Sequence, residues 1–238
     1  MDAALAAKLD RMRATFAPMR SVIVAFSGGV DSTFVLKVAH ETLGDSVLAL
    51  TTSSPTMPDE DRDSALSMAR LIGARHLIVE SNELEIPGYA ANPINRCYLC
   101  KHNLFTVCEA KAAELGIDEI VDGLNLDDLH DYRPGMQAAT EKRVRHPLVE
   151  AEMTKADVRE LSRSMGLPTW AASDLSASST LIVCAGFVST STATSRPESK
   201  RRTGYPPSDD SQASSKTRID MATSVISPLA ITRVSFGE

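Results

Sequence analysis

The chain has 238 residues, enough for one large domain or two small ones, and its 43% hydrophobic content is ample for a core. A formal net charge of −6 argues against a nucleic-acid binder that relies on a broad basic face. The sequence has no apolar leader and no apolar run of membrane-spanning length, so we expect a soluble, cytoplasmic protein with no membrane partner, whose four cysteines form no structural disulfides.

Helical and strand-like segments alternate up to Trp170. Residues 1–20 carry apolar side chains at helical spacing, and an apolar, β-branched strand follows at Val22–Phe26. This alternation predicts an α/β fold with a doubly wound parallel sheet, in which ligands bind at the carboxyl ends of the strands. After the first strand, helices and strands are predicted in turn at about Ser32–Leu43, Ser46–Thr51, Asp59–Ile72, His76–Val79, Leu99–Leu115 and Glu119–Asp122.

The first strand runs directly into a glycine-rich turn that a helix follows. Two adjacent glycines let the backbone approach an anion without a Cβ in the way, and the N–H groups of the first helical turn then point at that anion. A glycine pair by itself is equally typical of a tight turn. The turn has neither the lysine of a Walker loop nor the spacing of the dinucleotide fingerprint. We therefore predict a different phosphate-binding loop, formed by Ser27, Gly28, Gly29, Val30, Asp31 and Ser32.

Two thiols, Cys97 and Cys100, lie three residues apart near a predicted helix start. Such a pair can share a metal or cluster, act as a redox pair, or pack as two inert side chains. The sequence has no second CxxC, so a zinc site made of cysteine alone is disfavoured. Arg96 and Lys101 flank the thiols and would favour thiolate or attract phosphate. Cys108 is expected in the core.

Acidic residues follow the fourth strand at Asp122–Asp128. Paired carboxylates there can hold Mg²⁺ against phosphate oxygens, and Gly123 would let the backbone approach a nucleotide. Arg133, fixed before a proline, is suited to bidentate capture of a phosphate or carboxylate. The alternative is an acidic, solvated turn. His146 is not assigned as a base, because a hydrogen-bonded structural role explains it equally well.

Five motifs occur here in the order found in the LarE family of ATP-dependent sacrificial sulfur transferases, and the resemblance covers roughly residues 5–170. They are SGGVDS, NRCYLCKHNLF, DGLNLDDLHDYRPG, VRHPLVEAEMTKADVREL and GLPTW. The first resembles the pyrophosphate-binding (PP) loop of the adenine nucleotide alpha hydrolase superfamily, and the next two narrow the likeness to LarE. The resemblance implies an adenine nucleotide alpha hydrolase-like, HUP-type fold and a role in making the nickel-pincer nucleotide cofactor. Family members use ATP to adenylate a carboxylate of a pyridinium dicarboxylate mononucleotide and then replace that oxygen with sulfur.

The resemblance also implies site residues and cofactors. Asp31 and Arg133 are the catalytic candidates, and Asp31 and Asp127 are the candidate ligands of Mg²⁺. Beyond the loop, the candidate ATP-binding positions are Thr52, Ser53, Lys101, Gly123 and Asn125. One branch of the family holds a [4Fe–4S] cluster on three cysteines, so Cys97 and Cys100 are candidate ligands together with a third that is missing here. Family members oligomerise.

The resemblance stops just after Trp170. In the family the segment after GLPTW contains the sulfur-delivering cysteine, whereas Ala171–Ser176 has none and Cys184 lies in an unrelated context. From Ala171 to Glu238, 23 of 68 residues are Ser or Thr. We expect a PP-loop ATP-binding domain at 1–170 and, at 171–238, an irregular tail that is disordered or translated out of frame. One codon choice for Ala171–Ser176, shifted by one nucleotide, reads Pro-Pro-Ala-Thr-Cys, which is close to the family's segment.

Two other functions fit the same loop. An ATP-pyrophosphatase-type amidotransferase of the NAD or GMP synthetase kind would use ammonia as its nucleophile, but it leaves the CxxC pair unexplained. A catalytically dead protein would bind the nucleotide without releasing pyrophosphate. Pyrophosphate release distinguishes the three functions. Sulfur transfer needs the pyridinium dicarboxylate nucleotide, the amidotransferase needs nicotinic acid adenine dinucleotide or XMP with ammonia, and the dead protein releases none.

Overall fold

The computed structural model describes residues 2–55, 57–82, 85–86, 89, 96–130 and 134–171. Its strands are β1 (Val22–Ala25), β2 (Val47–Ser53), β3 (Arg75–Glu80) and β4 (Glu119–Val121). Its helices are α1 (Ala3–Phe16), α2 (Val30–Leu43), α3 (Asp59–Ile72), α4 (Arg96–Leu115), α5 (Pro134–Glu141), α6 (Pro147–Glu150) and α7 (Lys155–Ser164). Short 3₁₀ turns lie at Gly44–Ser46, Leu126–His130 and Pro168–Ala171.

The four strands form one parallel sheet in the order β3-β2-β1-β4. A single further bridge, from Val121 to Arg145, continues the parallel pairing beyond β4. Because β4 pairs with β1, the segments that follow these two strands lie side by side at the carboxyl edge of the sheet. This edge carries the candidate site.

β1 is buried on both faces of the sheet. Val22 and Val24 belong to a core formed with α1, α2, α3 and α7, whereas Ile23 and Ala25 belong to a second core formed with α4 and α5. Side chains alternate across a strand, so helices must cover both faces of such an apolar run. The predicted doubly wound α/β fold is confirmed.

The observed elements differ from the predicted ones mainly at their ends. β2 continues two residues further than expected, and α4 begins at Arg96 rather than Leu99, so both thiols of the CxxC pair lie within its first five residues. Helices α5, α6 and α7 were not predicted from the sequence. In the part of the chain that the structure describes, no helix is long and apolar enough to cross a membrane. The predicted tail lies outside the described residues apart from Ala171.

A chain of buried polar contacts ties β1, β2 and β3 together. Thr51 Oγ1 donates to the Phe26 carbonyl oxygen (2.7 Å) and lies 2.8 Å from His76 Nε2. Because the single hydroxyl proton is used on Phe26, Nε2 must be the donor to Thr51. His76 Nδ1 is buried and has no hydrogen-bond partner among the described residues. Burial lowers the pKa of His76 to about 4.

This histidine should make the fold less stable in mild acid. The unfolded chain binds the proton with a pKa of about 6.5 while the folded chain resists it, so stability is full above that pH and falls as the pH drops toward 4. We expect the loss from His76 between pH 7 and pH 5 to be at most about 2 kcal/mol. Thermal unfolding of the wild type and of His76→Gln at both pH values measures it. The variant should show a smaller pH dependence, while His40→Gln, which alters a half-buried histidine at the C-terminal end of α2, should match the wild type. Equal pH dependence in His76→Gln and the wild type would contradict this.

Candidate nucleotide-binding site

The predicted phosphate-binding loop connects β1 to α2. Gly29 is the N-cap of α2 and offers no side-chain cap, and the first N–H that bonds back is that of Thr33, to the Gly29 carbonyl (2.9 Å). The preceding N–H groups of the helix are therefore left for an external acceptor. Hydrogen bonds inside the loop hold its shape: Ser27 Oγ and Ser32 Oγ are 3.1 Å apart, and Ser32 Oγ donates to the Gly29 carbonyl (3.3 Å). This arrangement suits an anion at the helix N-terminus.

The two glycines of the loop have different roles. Gly28 has φ +77°, and a Cβ there would lie 2.8 Å from the backbone N and Cα of Ala65 in α3. Gly28 is therefore required both for its conformation and for close packing. Gly29 has φ −73°, which any residue can adopt, so of the two glycines only Gly28 needs the left-handed conformation.

Gly123 packs against the start of α2. A Cβ on Gly123 would lie 2.8 Å from the backbone N of Ser32 and 3.1 Å from the carbonyl carbon of Asp31. We expected this glycine to admit a nucleotide. The close approach that the structure shows is instead between the β4 loop and the phosphate-binding loop.

Asp31 pairs with a lysine that sequence reasoning did not select. Its Oδ2 accepts a hydrogen bond from Lys155 Nζ, at the start of α7, and the two side chains keep only 19% and 26% of their surface exposed. Oδ1 of Asp31 is buried and has no partner in the described part of the chain. Burial raises the pKa of Asp31, Lys155 opposes this shift and Asp128 adds to it; the net shift is upward.

The backbone at Lys155 is fixed by a capping box. Thr154 Oγ1 accepts from the Asp157 N–H (3.2 Å), and Asp157 Oδ2 accepts from the Thr154 N–H (2.8 Å). Asp127 Oδ2 accepts from the Lys155 N–H (2.8 Å), so this predicted metal ligand lies at the N-terminus of α7. The capping pattern Thr154-x-x-Asp157 was legible in the sequence and would have placed Lys155 in a first helical turn.

Asn125 caps the 3₁₀ turn that carries Asp127 and Asp128. Its Oδ1 accepts from the N–H groups of Asp127 (3.0 Å) and Asp128 (3.3 Å), and Asp128 Oδ2 accepts from the Asn125 N–H (3.2 Å). The contacts of this buried residue therefore fix the backbone of the turn and the carboxylate of Asp128.

The carboxylates near the loop fit Mg²⁺ chemically. Mg²⁺ is commonly held by one or two carboxylates together with substrate phosphates. The orphaned Oδ1 of Asp31 is a hard oxygen donor beside the loop, with Asp128 near enough to affect its pKa. No group of three His, Cys, Asp or Glu side chains within the described ranges is placed to hold a metal without such phosphates.

The CxxC pair does not form a metal centre with other described residues. Cys97 and Cys100 are half-buried, and among the described residues no third His, Cys, Asp or Glu side chain lies where it would complete a metal site with them. The predicted iron–sulfur cluster is therefore not supported. Cys108 is in the core, as expected, and burial raises the pKa of its thiol to about 12.

Of the four remaining predicted residues, the structure describes Thr52, Ser53 and Lys101. Thr52 and Ser53 end β2 and are half-buried. The Lys101 ammonium lies over the Phe105 ring, 5.6 Å from its centroid, and close enough to Asp122 to lower the pKa of that carboxyl. Arg133 lies outside the described residues.

Asp122 and His146 form a second polar cluster, beside Lys101. His146 Nδ1 lies 2.7 Å from Asp122 Oδ1, and the Leu124 N–H donates to the same oxygen (3.1 Å). Burial raises the pKa of Asp122, but the hydrogen bond from His146 and the charge of Lys101 outweigh it, so the pKa lies below its usual range.

Comparison with known sequences identifies relatives of this chain. A sequence model of the NAD synthase family matches residues 7–91. A protein of Synechocystis sp. that is itself uncharacterised is 45% identical over 166 residues, which cover 70% of this chain and 62% of that protein. The pyridinium-3,5-bisthiocarboxylic acid mononucleotide synthase of Lactiplantibacillus plantarum is 37% identical over 169 residues, which cover 71% of this chain and 61% of the synthase. The chain thus spans about three fifths of the length of these relatives.

Comparison with solved structures identifies the fold. The NH3-dependent NAD synthetase of Campylobacter jejuni superposes with a TM-score of 0.55 at 15% identity, over 71% of this chain and 75% of that one. The NMN synthetase of Francisella tularensis gives a TM-score of 0.52 at 16% identity, over 72% and 76%. At such identities the likeness shows the fold alone. Together with the sequence matches, it shows that this chain contains a PP-loop domain of the NAD synthase type and is a homologue of the pyridinium-3,5-bisthiocarboxylic acid mononucleotide synthase.

Proposed function

We propose that this chain uses ATP to adenylate a carboxylate of a pyridinium dicarboxylate mononucleotide, as the first half of an ATP-dependent sulfur transfer in nickel-pincer cofactor biosynthesis. The observation that carries the proposal is the uncapped N-terminus of α2 beside Gly28, with Asp31 and Lys155 at its first turn. The Lactiplantibacillus plantarum relative supports the substrate class, because that enzyme is named for making the bisthiocarboxylic acid mononucleotide.

The chemistry explains why ATP is needed. A carboxylate is a poor acyl donor because its leaving group would be oxide, whereas an acyl adenylate releases AMP. In the adenylation step a carboxylate oxygen attacks the α-phosphorus and the bond to the β-phosphate oxygen breaks. The free N–H groups of the loop then stabilise the departing pyrophosphate.

The charged residues around the loop have separate roles in neutralising the phosphates, holding Mg²⁺ and binding the substrate. Lys155 supplies a positive charge at the first turn of α2, next to where the phosphates would lie. Asp31, with Asp127 or Asp128, would hold Mg²⁺, which neutralises phosphate charge when bound. Arg133 stays a candidate for binding the anionic substrate.

Isotope exchange between pyrophosphate and ATP tests the function. We expect exchange that depends on both Mg²⁺ and the pyridinium dicarboxylate mononucleotide, and that disappears in Asp31→Asn. Exchange or AMP formation with nicotinic acid adenine dinucleotide or XMP plus ammonia would favour the amidotransferase. ATP binding without exchange in any mixture would identify a nucleotide-binding protein and contradict the proposal.

We further propose that the protein works in the cytoplasm on a small-molecule nucleotide, without a nucleic-acid partner, and that residues 171–238 are translated out of frame. The expected sulfur-donor cysteine is missing from Ala171–Ser176, so the chain as written should stop after adenylation. Sequencing the gene tests the reading frame. A family-like cysteine codon in another frame just after the Trp170 codon is expected, and its absence from every frame would contradict the idea.

A further inference from the structure

The hydrogen bond between Asp122 and His146 fixes the tautomer of the imidazole. Asp122 is only 5% exposed and accepts hydrogen bonds from His146 Nδ1 and the Leu124 N–H. The depressed pKa of Asp122 means that this carboxylate is ionised and has no proton to donate. Nδ1 of His146 must therefore carry the proton, which leaves a lone pair on Nε2 when the ring is neutral.

The fold places this pair beside the phosphate-binding loop. Asp122 directly follows β4, which pairs with β1, and the next residue, Gly123, packs against the first turn of α2. The His146 backbone is fixed on both sides, by the bridge between Arg145 and Val121 and by the start of α6. The His146 side chain keeps 22% of its surface exposed, and no described residue bonds to its Nε2.

We propose that His146 Nε2 accepts the proton of the nucleophile that attacks the acyl adenylate, and that Asp122 is the positioning residue that aims it. The inference rests on the proposed adenylation. For a thiol R–SH, a C–S bond forms at the acyl carbon and the C–O bond to AMP breaks. AMP leaves with the bonding electrons, and the thiol proton moves to Nε2. The nucleophile is thus of the class that arrives protonated at neutral pH.

Two thiol probes test this role, each added to the full chain with ATP and the pyridinium dicarboxylate mononucleotide. 2-Mercaptoethanol is protonated at neutral pH and needs a proton acceptor, whereas thioacetate is already ionised and does not. In His146→Gln we expect AMP release with 2-mercaptoethanol to fall by about 10²-fold or more. AMP release with thioacetate, and pyrophosphate–ATP exchange, should stay within about twofold of the wild type, because neither needs this base.

Variants at two other positions provide a second test of the pair and a control. Asp122→Asn can donate to Nδ1 and so favours the wrong tautomer, and it should reproduce the thiol-selective loss. ¹⁵N NMR should find the Nδ1–H tautomer of His146 in the wild type and the Nε2–H tautomer in Asp122→Asn. His40→Gln, in the last turn of α2 and so at the opposite end of that helix from the loop, should behave like the wild type in every assay.

The outcomes separate this role from the adenylation itself. Equal losses with both thiols in His146→Gln, or an Nε2–H tautomer in the wild type, would overturn the role of the pair and leave adenylation standing. Absence of pyrophosphate–ATP exchange in the wild type would overturn both.

Discussion

Substituting Gly28 with alanine should lower the affinity for ATP by at least about 100-fold, equivalent to roughly 3 kcal/mol of binding free energy. The added Cβ would meet backbone atoms of Ala65 at 2.8 Å, so the loop or α3 must move. The φ of +77° adds a further cost of about 1–2 kcal/mol for a residue with a side chain. Both effects displace the N–H groups that would bind phosphate.

Calorimetric titration of Gly28→Ala with ATP and Mg²⁺ measures the loss, and circular dichroism checks that the variant is folded. Gly116→Ala is the matched control, because Gly116 has φ +67° but nothing within 4 Å of its Cβ position. The control should lose about 1 kcal/mol of stability and keep its affinity for ATP. A folded Gly28→Ala protein with unchanged affinity would refute the phosphate-binding assignment of this loop.

Substituting Lys155 with methionine should destabilise the fold by about 1–3 kcal/mol at pH 7 and abolish pyrophosphate–ATP exchange. Breaking a fully buried ion pair costs about 3–5 kcal/mol, and this pair keeps some contact with solvent, so we expect less. The stability loss arises because the Asp31 carboxylate is left buried without its counter-charge. The loss of exchange arises because the cation beside the phosphates is removed.

The pH dependence and a double variant identify the cause. Burial already raises the pKa of Asp31, and removing Lys155 raises it further, so the folded variant binds a proton more readily than the unfolded chain. The stability of Lys155→Met should therefore approach that of the wild type as the pH falls through the raised pKa. Asp31→Asn combined with Lys155→Met should regain most of the stability at pH 7 without regaining exchange. If the double variant is as unstable as Lys155→Met, the unpaired carboxylate is not the cause.

The local sequence determined the four strands, helices α1 to α4 and the position of the loop. The run Val22–Phe26 had to be a buried strand because it is apolar and β-branched without interruption, and the glycine pair after it had to be a turn. Both inferences depend only on residues within one short segment, because the spacing of apolar side chains and the conformational freedom of glycine are local properties of the chain. The same reasoning did not distinguish the two glycines of the loop, of which only Gly28 adopts a positive φ.

The residue contacts that give the site its chemistry are formed only in the tertiary structure. Asp31 and Lys155 are 124 residues apart, and Asp122 and His146 are 24 apart. Neither pair follows a helical or strand period. They meet because β4 pairs with β1, out of sequence order, which brings the segments after these strands to the same edge of the sheet as α2. Strand order is set by how whole apolar faces are buried against each other, and no single segment encodes it.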